Sequence, residues 1–252
     1  RPGTKLVVID EGAGTRLGYA LGWLPLPVAD VGGHISEFEE AISPVKARKH
    51  VVIGGGIDER RFAPAPQPAP SRDFLMVGRF LPYKGQLRFL EQLPAGARAR
   101  LVGPSDSIDP GYLAAVQAKA AELGVPIDFD LPDEELTEAY RDARYTVQVP
   151  VDMRRLNTNA APPELLGLTM LEAMACGSVP ICPGTGASAE FVEDGRTGLT
   201  YEAGSEAALA AVLQSALDEP ARHAALRDGA LSEAARWTWA EGARRLIQAL
   251  GL

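Results

Sequence analysis

The chain has 252 residues, 46% of them hydrophobic, a net charge of −8 and two cysteines. That composition supports one large domain or one and a half ordinary ones, and excludes both wholesale disorder and a disulfide scaffold. It argues against a nucleic-acid partner, and membrane association is not indicated: the charge has the wrong sign for phosphate-rich surfaces, and no apolar run approaches a bilayer span.

In chain order, Lys5–Ile9 reads as a buried strand running into a turn with Gly12, Gly14 and Gly18, whose spacing does not match a dinucleotide fingerprint. Ile35–Ala41 reads as a short helix with Ser36 as a cap, and His50–Ile53 as a strand. Residues 64–70, PAPQPAP, form a proline-alanine spacer. It divides the chain into a partial N-terminal domain with its crossover (1–63), a linker (64–72), a main domain (73–236) and a C-terminal helix returning toward the N-terminal part (237–252). Beyond the spacer, strands at Phe74–Val77, Arg100–Val102, Ile127–Phe129, Tyr145–Val149, Val179–Ile181 and Gly198–Tyr201 alternate with helices. The helices are Gly85–Gln92, Pro110–Leu123 (opened by Asp109 and closed by Gly124), Glu134–Asp142 and one that stops at Gly177. Ser205–Leu217, Glu219–Arg236 and Thr238–Leu250 complete a helical tail. Strands alternating with helices predict an α/β fold with a Rossmann-like, doubly wound parallel sheet, which binds ligands beyond the carboxyl ends of its strands.

The most informative stretch runs from Pro162 to Tyr201. Glu164 and Glu172 are separated by seven residues. Leu168, Leu171, Met174 and Ala175 follow a helical period, and the prolines at 162 and 163 keep the helix from reaching further back. Glu164 therefore belongs at or before the helix start and Glu172 about one turn inside. The first free N–H groups, around Gly167, Leu168 and Thr169, make an anion site. An acid on each side suits an anionic ligand that also carries hydroxyls, such as a sugar nucleotide.

Other loops at the same strand ends fit this reading. GRFLPYKG (78–85) sets Arg79 and Lys84 just after a strand, a forked donor and a mobile point charge suited to a diphosphate. The wider stretch Phe74–Gly103 holds five bases, Arg79, Lys84, Arg88, Arg98 and Arg100, against Glu91 alone, and could receive phosphate. The acid-rich stretch Ile127–Asp142 reads as a solvated helix face. GTGASAE (184–190) lets backbone amides near Gly186 and Ala187 approach a ligand. Residues 150–163 form a long irregular loop in which Arg154, Arg155 and Asn157 could contact a ligand. His34, His50 and His223 are scattered without metal-ligand spacing and read as structural or surface residues, and Cys176 and Cys182 read as buried apolar side chains.

Arg79 and Lys84-Gly85, then Glu164-x7-Glu172 within ELLGLTMLEAMACGSVP, then EFVEDGRTGLTY resemble the donor-binding half of retaining GT-B glycosyltransferases of the family 4 type. ISEFEEA followed by HVVIGGGIDERRFAP looks like the end of that family's N-terminal domain, and RWTWAEGARRLIQAL like its returning C-terminal helix. The resemblance implies a glycosyltransferase that takes a UDP-, GDP- or ADP-linked sugar and retains anomeric configuration, with no cofactor and no metal. It implies that Arg79 and Lys84 hold the diphosphate and stabilise the leaving phosphate, that Glu164 contacts the transferred sugar, and that Glu172 takes the ribose hydroxyls. Gly78, Gly167, Leu168, Thr169, Gly186 and Ala187 would cradle phosphate and sugar through their backbone. Leu165 and Ala187 replace family glycines, IGGG replaces the I-P-N-G turn, and Asp10-Glu11 stand where the family often has a histidine. The alternatives are a nucleotide-sugar-binding module that is inactive alone, because its acceptor domain is incomplete or on another chain, and a different GT-B enzyme such as a sugar-nucleotide epimerase. A cytoplasmic protein is the expected setting, since Arg1 opens no leader pattern.

Overall fold

The computed structural model describes residues 5–10, 29–43, 45, 47–64, 70–106, 109–151 and 164–252. The glycine turn at 12–18, Glu11, most of the proline-alanine spacer, and Arg154, Arg155 and Asn157 lie outside the described residues.

Two parallel sheets carry the fold. The smaller joins β1 (Val7–Asp10), β2 (Ala29–His34) and β3 (Ala47–Val52) in that order. The larger has six strands: β4 (Arg72–Val77), β5 (Ala99–Gly103), β6 (Ile127–Phe129), β7 (Ala143–Val147), β8 (Val179–Pro183) and β9 (Leu199–Tyr201). Its spatial order is β6-β5-β4-β7-β8-β9, every neighbouring pair parallel. The chain therefore winds outward one way from β4 and the other way from β7, the doubly wound Rossmann-like arrangement that alternating strands and helices had indicated.

Both faces of this sheet are covered, which explains why its strands read as nearly continuous apolar runs. Phe74, Met76, Leu101, Tyr145, Val147 and Ile181 pack on one side, against α2 (Gln86–Glu91), α3 (Pro110–Leu123) and α6 (Glu206–Asp218). Leu75, Val102 and Cys182 pack on the other, against α4 (Asp133–Arg141), α5 (Leu168–Cys176) and α7 (Arg222–Ala234). Both cysteines are free and buried, and burial pushes each thiol up to about 12.

The smaller sheet is tied to the larger one by the short helix α1 (Glu37–Glu40) and by α8 (Trp239–Leu250). Ser36 caps α1 as the sequence indicated, accepting the Glu39 amide at 2.9 Å. Helix α8 packs on β2 and β3, and the Ile57 amide bonds the Trp237 carbonyl at 2.9 Å. Strand β2 was not foreseen. Its sequence, ADVGGH, has low strand propensity. It forms because β1 and β3 flank it and because Gly32 leaves room for Ala47 and His50, each of which a Cβ there would meet at 3.2 Å. No helix among the described residues is long and apolar enough to cross a membrane.

Candidate active site

The order of the large sheet reverses between β4 and β7, so the loops leaving Val77 and Val147 diverge and open a crevice. Arg79 and Lys84 come from the first loop, Glu164 and the start of α5 from the second. The two loops are locked together. Gly85 has φ +77, and a Cβ there would overlap the Val149 carbonyl oxygen, so glycine alone permits the close approach. The Val151 amide donates to the Tyr83 carbonyl at 2.8 Å. A short 3-10 turn, Pro82–Lys84, aims the lysine across the gap, and its Nζ lies 2.7 Å from Glu164 Oε2. Both side chains are 22% exposed. The basic loop and the acidic helix start thus share one cleft.

Arg79 is exposed at the rim, its Nη2 donating to the Tyr83 hydroxyl at 2.8 Å and its carbonyl accepting Gln86 Nε2 at 2.8 Å. Gly78 follows β4, its amide bonded to the Val102 carbonyl at 2.9 Å. Gly167 precedes α5 with φ +87, and a Cβ there would stand 2.7 Å from Ser188 Oγ. The amides of Met170 and Leu171 turn back to the Gly167 carbonyl, which leaves those of Leu168 and Thr169 outside the intrahelical ladder at the start of α5. Gly186 opens a second 3-10 turn, Ala187–Glu190, in which Ala187 is buried. The Ser188 hydroxyl reaches Gln148 Oε1 at 2.7 Å, so this turn is fixed to the end of β7.

Glu172 lies one turn inside α5, as its spacing required. Its Oε2 accepts the Tyr140 hydroxyl at 2.8 Å, from a tyrosine ring that is fully buried. Burial raises the Glu172 carboxyl above its usual range, opposed by the tyrosine bond and by the positive charge of Arg61. Burial and the neighbouring carboxylate hold Tyr140 protonated, so it remains the donor. Tyr140 and Arg61 were not singled out from the sequence. One ends a surface helix and the other sits in a basic pair, ERRF, so neither carries a local signal. Arg61 pairs with Asp133, and its Nε is buried without a partner.

Two sequence readings need correction. The five bases of 74–103 do not form one phosphate-receiving surface. Arg98 pairs with Asp73 at 3.0 Å on the amino-terminal edge of the sheet, Arg100 with Asp128 at 2.7 Å, and Arg88 with Glu206 at 3.9 Å, leaving Arg79 and Lys84 at the crevice. His34 and His50 are not scattered, since their ring nitrogens lie 2.8 Å apart. The chain also holds one Asp-x-Asp, Asp128-Phe129-Asp130. The fold uses both carboxylates: Asp128 pairs with Arg100, and Asp130 accepts the Ser105 amide at 3.0 Å.

Ser36 and Glu190 join the small sheet to the crevice. The Ser36 hydroxyl donates to the Leu165 carbonyl at 2.6 Å. The Glu190 carboxylate accepts the first amides of α1, Glu37 at 3.0 Å and Phe38 at 2.9 Å. The acid-rich α4 surface forms a separate groove of about 720 Å³ with Arg60, Arg61, Arg100 and Arg141.

Comparison with known proteins bears on the family and the fold. The sequence model of the family described as glycosyl transferases group 1 matches residues 58–233. A D-inositol 3-phosphate glycosyltransferase of Thermobispora bispora is 32% identical over 88% of the chain, and the match spans 55% of that relative. A GDP-mannose-dependent alpha-(1-6)-phosphatidylinositol monomannoside mannosyltransferase of Mycolicibacterium smegmatis is 31% identical over 92% of the chain and 68% of the relative. The chain thus spans about half to two thirds of the length of these relatives. Among solved structures, Anabaena Alr3699/HepE in complex with UDP and glucose superimposes with a TM-score of 0.73 at 19% identity, over 88% of this chain and 63% of that one. With its large sheet, its crevice and its sequence in agreement, the chain belongs to the glycosyl transferases group 1 family.

Proposed function

We propose that the chain carries the donor half of a glycosyltransferase that moves a sugar from a nucleoside diphosphate to an acceptor with retention of anomeric configuration. The observation that supports this best is the Lys84–Glu164 pair at 2.7 Å, at the switch point and beside the open start of α5. Breaking a glycosyl–phosphate bond leaves negative charge on the diphosphate. Lys84, Arg79 and the amides of Leu168 and Thr169 meet that charge in fixed positions, the arrangement that gives electrostatic catalysis its size. A lysine carries three donors. Lys84 can therefore keep Glu164 while it binds a phosphate oxygen, and Glu164 in turn holds the ammonium in place and faces the sugar.

Glu172 has the second role. With Oε2 held by Tyr140, its Oε1 is left to accept ribose hydroxyls. Donors of this type suit the GDP-mannose dependence of the mycobacterial relative and the UDP of the Anabaena structure.

Calorimetry with UDP, GDP and ADP, followed by sugar release or transfer from the matching nucleotide sugar, tests the reading. One of the three diphosphates should bind, and Glu172→Ala should weaken it at least tenfold, about 1.4 kcal/mol. Binding without turnover would favour the binding module, a reading prompted by the 55% of the Thermobispora relative that the match spans. Absence of binding by all three would refute the donor site.

A further inference from the structure

The smaller sheet assembles a cluster that the donor site does not use. His34 ends β2 with a fully buried ring. Its Nδ1 lies 3.0 Å from Oε2 of Glu39, itself buried, and its Nε2 lies 2.8 Å from Nδ1 of His50. The ring centroids are 5.0 Å apart and the planes 19° from parallel, so the rings meet edge to edge through their nitrogens. A buried carboxylate at Nδ1 sets the tautomer: that nitrogen carries the proton, and the Nε2 lone pair points away from Glu39. Glu40, the next residue of α1, supplies a third group. A carboxylate oxygen of Glu40 and one ring nitrogen from each of His34 and His50 all lie within 4.8 Å of one another.

We propose that His34 Nε2, His50 Nδ1 and Glu40 bind a divalent transition-metal ion of the zinc or nickel type, with Glu39 orienting the buried histidine. Two imidazoles and one carboxylate favour such ions over magnesium or calcium, which prefer all-oxygen surroundings. A carboxylate on the far nitrogen of a ligating histidine is the usual supporting contact, because it fixes the ring and raises its basicity. Binding exchanges the hydrogen bond between the histidines for two bonds to the ion, and the proton that His50 Nδ1 donates in that bond passes by way of water to Nε2 of the same ring, which frees the Nδ1 lone pair. Nitrogens about 2.0–2.1 Å from a tetrahedral ion stand about 3.3 Å apart, so the present 2.8 Å must widen slightly. His34 is locked by burial, whereas His50 is exposed and can turn. The register places Gly32 opposite His50, which leaves that ring room.

The site lies two residues before Ser36, whose hydroxyl holds the Leu165 carbonyl. A bound ion would therefore pin α1 to β2 and β3 directly behind the contact with the Glu164 loop. Three protein ligands leave a fourth position for water.

The test is calorimetric titration of the untagged, chelator-treated chain with Zn²⁺ alone, with Co²⁺ absorption as a second reading. The wild type should bind one equivalent, give the intense d–d bands of a tetrahedral cobalt site and show a thermal midpoint that rises with zinc. Glu40→Gln and His50→Ala, each on the open side of the cluster, should each weaken binding at least tenfold, and the double variant should lose the cobalt bands. Glu39→Gln keeps all three ligands and should weaken binding about 10–100-fold. Failure of the wild type to bind one equivalent, or wild-type affinity in the double variant, overturns the proposal.

Discussion

Replacing Tyr140 by Phe removes one hydroxyl and keeps the ring, which packs edge-on against Phe62 at 6.1 Å. The change therefore isolates the 2.8 Å bond to Glu172. A hydrogen bond to a charged group contributes about 1.5–3 kcal/mol, and this one is withdrawn from water because the tyrosine is fully buried. At neutral pH the variant should lose that amount, equivalent to roughly 3–12 °C in Tm at about 2–4 °C per kcal/mol for a chain of this size. The loss should depend on pH in a defined direction. Burial holds the Glu172 carboxyl above its ordinary 4.5, and the tyrosine bond opposes the rise, so the variant's carboxyl rises further. Between the ordinary value and the raised one the folded state binds more protons than the unfolded state, and stability falls as pH increases. That fall is larger in the variant. Below the ordinary value Glu172 is protonated in both states, and the difference between the proteins shrinks to a neutral hydrogen bond, about 0.5–1.5 kcal/mol. Urea unfolding at pH 4 and pH 7.5, followed by tryptophan fluorescence, measures both numbers, and calorimetry should show about tenfold weaker nucleoside diphosphate binding. Equal stabilities at both pH values with unchanged affinity would refute the pairing of Tyr140 with Glu172 and the ribose role built on it.

Lys84→Met should lower sugar transfer by about 10²–10³-fold, about 2.7–4 kcal/mol in activation energy, while changing stability by at most ~1 kcal/mol, because the Lys84–Glu164 pair is partly solvated. Comparison of kcat with the urea midpoint separates the two effects. Gly167→Ala should destabilise by about 1–2 kcal/mol, since φ is +87 and the new Cβ meets Ser188 Oγ at 2.7 Å; chemical denaturation reads it directly. Glu190→Ala uncaps the two first amides of α1 and should remove about 0.5–2 kcal/mol, detected as faster hydrogen exchange at Glu37 and Phe38.

The large sheet and the strand ends where its crevice opens were legible from local patterns in the chain. Apolar strand runs, Asp109 and Gly124 bounding one helix, Gly177 ending another and the seven residues between Glu164 and Glu172 are local patterns, and local patterns survive folding. What the sequence left unread depends on residues distant in the chain. Strand β2 owes its existence to neighbours on both edges rather than to ADVGGH. Arg98 and Arg100 look like Arg79 in the sequence, yet Asp73 and Asp128 claim them because the sheet brings those carboxylates alongside. Tyr140 reaches Glu172 across 32 residues, and His34 reaches His50 across 16, distances that no spacing rule connects. Periodicity and capping fix each element, whereas the partners of buried polar groups are chosen only when the elements pack. Packing therefore selects which charges face the crevice, which support it from behind and which histidines meet.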